Sequence, residues 1–184
     1  MTHSSEYLIE TIQIADTLRT RSSEIESMAA ELVRIRDQGE PLFVIGLGGS
    51  AANASHATND FRKLCGIDAR CPTDNISEFT AWANDAGFSE AFSATYGNLF
   101  VLSVGGGTES VSTPITRLLR RSVGVVKILG IVGPNGGETA KLGGNVIRVP
   151  APEGRITPHT EAFQGVILHL LVSHPLLQRN KCKW

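Results

Sequence analysis

Phe43-Val44-Ile45-Gly46-Leu47-Gly48-Gly49-Ser50 decides the fold, because an apolar, β-branched run passes directly into a glycine turn that ends on a serine. The run reads as a buried strand and the glycines as a tight turn. Ser50 falls at a helix N-terminus, where its hydroxyl can cap or donate. Together they make an anion cradle, since glycine lets the backbone approach a ligand and the N–H groups of the first helical turn favour negative charge. The ligand expected there is a phosphate or a phosphorylated small molecule. Many doubly wound proteins carry such a turn for packing alone, so this stretch leaves both readings open.

Working outward, apolar runs at 42–47, 69–71, 99–104, 125–132 and 146–149 each read as a strand, with helical segments between them. That pattern indicates α/β architecture, a parallel sheet covered on both faces. Before the turn, Leu8, Ile12, Leu18, Ile25, Met28, Leu32 and Ile35 recur at helical spacing with a polar break near 20–23. This predicts two helices or one bent helix. Their apolar stripe must be buried against their own domain or a second subunit, so a homo-oligomer is expected.

The 184 residues suit one domain, with N-terminal helices at 1–38 and an α/β core at 39–184. The formal net charge is −1 with acids and bases interspersed, which argues against a nucleic-acid or anionic-membrane partner. Cys65, Cys71 and Cys182 have no CxxC spacing and an odd count, so free thiols in a reducing cytoplasm are expected. The polar N-terminus reads as neither a signal peptide nor a membrane span.

Two further loops follow strand ends. Ser103-Val104-Gly105-Gly106-Gly107-Thr108-Glu109-Ser110 precedes a helix expected at 113–122, and Gly133-Pro134-Asn135-Gly136-Gly137 precedes a short one. Ligands of open α/β sheets sit outside the carboxyl ends of the strands, where both loops lie. Ser103, Thr108, Ser110 and Ser112 give the first loop four hydroxyls for a phosphate. The glycines of the second are better explained by tight turns.

Four residues could carry chemistry. His56 and Asp60, four apart on the helix after Ser50, are separated by about 40° and share one face. Thr157-Pro158 reads as a second helix start, with threonine as cap and proline in first position. Glu161, in the first turn, and His169 are eight residues apart in that helix, about 80° around the axis and about 12 Å along it. Two imidazoles and two carboxylates suit a zinc-type ion or general acid–base catalysis. Each also has a plain structural explanation: a carbonyl-bonded His56, a solvated Asp60, a dipole-favoured Glu161, a packed His169. His159 and His174 are further candidates.

Gly46-Leu47-Gly48-Gly49-Ser50-Ala51-Ala52-Asn53-Ala54-Ser55-His56 resembles the GxGGSxxxAxH segment of sugar isomerase (SIS) domain proteins of the phosphoheptose isomerase group. The resemblance continues through Asn84-Asp85-Ala86-Gly87-Phe88 (NDxGF), through the G-x-x-G-G turn at Gly133 to Gly137, and into the last helix at His169. It implies a flavodoxin-like, doubly wound, five-stranded parallel sheet and a cytoplasmic homotetramer with active sites at subunit interfaces. It further implies isomerisation of sedoheptulose 7-phosphate to a heptose 7-phosphate. The family's catalytic base and its histidine partner fall on Asp60 and His169, and the zinc ligands of some members, one ion per site, fall on His56, Asp60, Glu161 and His169. Sugar-phosphate contacts fall on Gly49, Ser50, Asn53, Asn84, Asp85, Ser103, Gly105, Gly106, Thr108, Ser110 and Glu161, with Asn84 and Asp85 in a loop at the ligand edge.

The sequence departs from the family pattern at three places. Asp60 stands where glutamate is usual, about 1 Å shorter in reach. Glu161 stands where glutamine is commoner, and Ser103-Val104-Gly105-Gly106 replaces Ser-Thr-Ser-Gly. The departures mark a divergent subfamily and keep a second reading open, a non-catalytic SIS module that binds a sugar phosphate as regulator or scaffold. The extra carboxylate favours a bound divalent cation, with zinc first because imidazole and carboxylate both suit it.

Overall fold

The protein was analysed as a computed structural model that describes residues 1–108 and 111–181. Five parallel strands, β1 (Leu42–Ile45), β2 (Ala69–Arg70), β3 (Asn98–Ser103), β4 (Ile128–Val132) and β5 (Asn145–Arg148), form one sheet in the order β2-β1-β3-β4-β5. This is the flavodoxin-like order, and its switch point lies between β1 and β3, where connections leave toward opposite faces. The strand expected at 125–132 begins only at Ile128, because Val125 and Val126 belong to the turn that follows the preceding helix.

Period-two alternation divides the strands between two cores. Leu42, Val44, Phe100, Leu102, Leu129 and Ile131 face one side, where they pack with α1 (His3–Thr20), α2 (Ser22–Asp37), α3 (Gly49–Asp60) and α7 (Ile156–Val172). Ile45, Leu99, Val101 and Ile128 face the other, against α5 (Thr113–Ser122) and Phe92. Both faces of the central strand β3 are covered, and all six of its residues are buried. α6 (Gly137–Leu142) packs on β4 and α5.

The N-terminal arm is two helices that break at Arg21, inside the expected polar interval. α2 buries Ile25, Met28, Leu32 and Ile35, whereas α1 buries only Ile14 and Leu18 and leaves Leu8 and Ile12 on the surface. α4 (Ile76–Ala86) has no buried residue and exposes Ile76 and Trp82. Among the described residues, no helix is long and apolar enough to cross a membrane. Cys65 and Cys71 are buried free thiols, and burial pushes the Cys65 thiol up to about 11, which removes it as a nucleophile at neutral pH. Cys182 lies outside the described residues.

Candidate active site

α3 and α7 lie side by side on one face of the sheet, and their matched positions climb together from Ser50 and Glu161 to His56 and His169. Asn53 fixes this register: its Nδ2 donates to the Glu161 carbonyl and to Gln164 Oε1, both at 3.0 Å. Gln164 is fully buried and donates in turn to the Ile131 carbonyl of β4 at 3.3 Å. The pair of helices is thereby referenced to the sheet. Gln164 was not singled out in the sequence, although a polar residue three positions after Glu161 between Phe163 and Ile167 was the available signal.

At the far end of this seam His56, Asp60 and His169 converge. His56 Nε2 lies 3.1 Å from Asp60 Oδ2 and 3.3 Å from His169 Nε2, and the two rings meet edge to face. One atom from each of the three falls within 4.8 Å of the others, so they could hold a metal ion. Ligand atoms around one tetrahedral ion with bonds of about 2.0–2.1 Å stand roughly 3.3 Å apart, which the two spacings from His56 match. The His56 side chain is 60% exposed and Asp60 15%, so the cluster opens to solvent on its histidine side. Asp60 Oδ1 accepts from Asn59, a neighbour the sequence reading passed over. Asp60 is also the last α-helical residue before a π-helical turn, Phe61–Cys65.

Glu161 is not in this cluster. Its carboxylate lies over the first turn of α3, where Ser50 Oγ reaches Oε1 at 3.5 Å and a Cβ on Gly49 would run into the carboxylate. The anion at the expected cradle is thus one of the chain's own carboxylates. Two expectations change accordingly. Ser50 does not cap α3, which starts at Gly49 with Gly48 as cap residue at a positive φ (60°); it is the second helical residue, buried, with its hydroxyl toward Glu161. Likewise α7 begins at Ile156 with Arg155 as cap residue, so Thr157 is not the cap, Pro158 is the third helical residue, and Glu161 lies beyond the first turn. The helix dipole of α7 therefore does not explain Glu161.

About 9 Å back along α3 from His56, a cleft of about 510 Å³ opens at the carboxyl ends of the strands. Ser50, Ser103, Gly105, Thr108, Ser112, Asn135, Lys141 and Thr157 line it. Its hydroxyls are partly committed to loop structure: Ser103 Oγ accepts from Gly106 N–H, and Thr108 Oγ1 exchanges bonds with Val111. Ser110 lies outside the described residues. The Gly133 to Gly137 turn serves packing as expected, since a Cβ on Gly137 would strike the Gly105 carbonyl. Lys141, absent from the sequence reading, is a lining residue that only the tertiary fold brings to this cleft.

Other expected contacts fall elsewhere. Asn84 and Asp85 occupy the last turn of α4 rather than a loop, exposed and bonded to each other, and neither lines the cleft. Asn53 is spent on holding α7. His159 is buried and stacked on Tyr7, with Nε2 at 2.8 Å from Glu10, and His174 pairs with Glu26 at 2.9 Å. Both histidines fasten helices.

No family model matches the chain. It is 29% identical to the phosphoheptose isomerase of Aneurinibacillus thermoaerophilus over 85% of its own length and 83% of that protein, and 28% identical to that of Chlorobaculum parvum over 94% and 85%. The chain is thus similar along most of its length to phosphoheptose isomerases. The lincomycin biosynthesis protein LmbN of Streptomyces lincolnensis is 33% identical over 71% of the chain, which spans about half (52%) of that relative. The solved phosphoheptose isomerase from Francisella tularensis superposes with a TM-score of 0.77 at 23% identity, covering 94% of this chain and 97% of that one. The one from Neisseria gonorrhoeae gives 0.75, also at 23%, over 92% and 94%. The SIS fold of the chain is theirs, and His56, Asp60 and His169 stand at its α3–α7 seam.

Proposed function

We propose that the chain is an aldose–ketose isomerase that converts D-sedoheptulose 7-phosphate to D-glycero-D-manno-heptose 7-phosphate through an enediol. The observation that carries this is the convergence of His56, Asp60 and His169 some 9 Å from a hydroxyl-lined cleft, in a chain related along most of its length to phosphoheptose isomerases. A substrate that spans the two must keep its phosphate at one end and its reacting carbons at the other. A 7-phosphate isomerised at C1 and C2 does so.

Asp60 takes the proton from C1 and returns it to C2, while His169 moves the second proton from O1 to O2, so the enediol is never a free dianion. Ser50, Ser103 and Thr108, with Ser110, hold the phosphate, and Gly49, Gly105 and Gly106 let the backbone approach it. Zinc suits the donor set, held by His56, Asp60 and His169, with Glu161 joining once it leaves Ser50; the ion would stabilise negative charge on the substrate oxygens. The enzyme works as a cytosolic homotetramer with sites at subunit interfaces. The unburied apolar residues Leu8 and Ile12 of α1 and Ile76 and Trp82 of α4 support that assembly, in which Asn84 and Asp85 reach a neighbour's sugar hydroxyls.

The test is sedoheptulose 7-phosphate incubated in D₂O with zinc-loaded protein and followed by proton NMR. Deuterium entering C1 or C2 together with heptose 7-phosphate is the expected outcome. Absence of exchange across a panel of heptulose and pentulose phosphates would leave the SIS module as a sugar-phosphate binder.

A further inference from the structure

The cleft at the carboxyl ends of the strands holds one charge that the proposed chemistry does not use. Among its described lining residues, Lys141 alone carries an ionisable side chain. Its place follows from how α6 is fastened. Thr139 gives both its N–H and its hydroxyl to the Gly106 carbonyl, and Glu138 gives its N–H to the Gly107 carbonyl, so the first turn of α6 is pinned across the 103–108 loop. Gly137 faces that loop at backbone contact. Lys141 is four residues on, one turn along the same face. Helical side chains lean toward the N-terminus, which directs its ammonium back over the loop. Nζ reaches Glu138 Oε1 at 3.0 Å from a side chain that is 71% exposed, so the arm can swing to an anion in the cleft.

We propose that Lys141 is a positioning residue for the substrate phosphate. The hydroxyls of Ser103 and Thr108 are shared with loop bonds, positions 104–107 carry none, and the other described polar lining residues are uncharged, so Lys141 brings the one positive charge among them to meet a dianion. An ammonium supplies a charge-assisted bond from a point charge that needs no fixed approach angle. Glu138 is the resting partner, and Arg120, 3.8 Å from its other oxygen, stays with the carboxylate when Lys141 leaves. The inference rests on the sugar-phosphate isomerase reading above.

Steady-state kinetics with sedoheptulose 7-phosphate, and inhibition by inorganic phosphate, are compared for wild type, Lys141→Gln, Lys141→Arg and Glu138→Gln. Lys141→Gln should raise KM and the phosphate inhibition constant about tenfold or more with kcat within about twofold, because the bond is made equally in ground and transition states. Lys141→Arg should restore most of the loss. Glu138→Gln, which removes the competing partner, should lower KM. An unchanged KM and inhibition constant in Lys141→Gln, or a fall in kcat alone, overturns the assignment. Should wild type turn over no heptulose phosphate, the isomerase reading alone fails. Calorimetric titration with inorganic phosphate then decides Lys141, and equal affinity in wild type and Lys141→Gln, or no binding in either, overturns it.

Discussion

Asn53 is half-buried and Gln164 fully buried, yet replacing Asn53 should cost more. Gln164→Met removes two hydrogen bonds, to Asn53 and to the Ile131 carbonyl, and fills the space with an apolar chain of similar length. At about 1 kcal/mol per bond the loss is about 2 kcal/mol, because the polar atoms depart with the side chain and Asn53 keeps the Glu161 carbonyl. Asn53→Ala also removes two bonds, but it strands Gln164 Oε1 in a wholly buried position, and the desolvation penalty brings the loss to about 3 kcal/mol. The double variant loses three distinct bonds and strands nothing, so it too should cost about 3 kcal/mol. The two single losses sum to about 5, and the coupling is therefore about 2 kcal/mol. For a chain of this size about 3 kcal/mol lowers Tm by roughly 6–12 °C. Urea unfolding of all four proteins at one fixed protein concentration measures the cycle, since an oligomer's stability depends on concentration. Additive losses, or a Gln164→Met variant weaker than Asn53→Ala, would refute the account of how α3 and α7 are held in register.

Asp60→Asn should reduce C1 proton exchange by about 10²- to 10⁴-fold while Asp60→Glu retains measurable turnover, read by deuterium incorporation; equal exchange in wild type and Asp60→Asn removes Asp60 as base. Elemental analysis of wild type and a His56→Ala, His169→Ala double variant should show zinc only in the former, and equal content excludes these ligands. The His159 bond, followed by the Arg155 guanidinium, holds the Glu10 carboxyl below its ordinary 4.5. A depressed folded value means that this contribution is complete above 4.5 and fades as pH falls toward the folded value. The Tm gap between wild type and Glu10→Gln should accordingly narrow from about pH 6 to pH 3, and a gap that widens contradicts the assigned clamp.

Much of this molecule was legible in residue order because its signals are local. The turn after Ile45 needs its glycines whatever surrounds it, and continuous apolar runs name buried parallel strands directly. The i, i+4 spacing of His56 and Asp60 becomes a 3.1 Å contact because a single helix dictates it. Local signals misplace what depends on neighbours. Thr157-Pro158 looks like a helix start, but Ile156 already continues from the 3₁₀ turn Glu153–Arg155. Asn84-Asp85-Ala86-Gly87 looks like a loop, but only Gly87 ends the helix.

The sequence by itself determined the doubly wound class, the glycine turn, the two N-terminal helices and the pairing of His56 with Asp60, all set by contacts within a few residues. Only the tertiary structure decided that Glu161 lies over Gly49 and Ser50 instead of beside His169, that Asn53 serves α7, and that Lys141 overlooks the cleft. Those outcomes depend on the register between α3 and α7 and on the fastening of α6 to the 103–108 loop. Both are long-range contacts, set by packing that no spacing along one chain segment encodes.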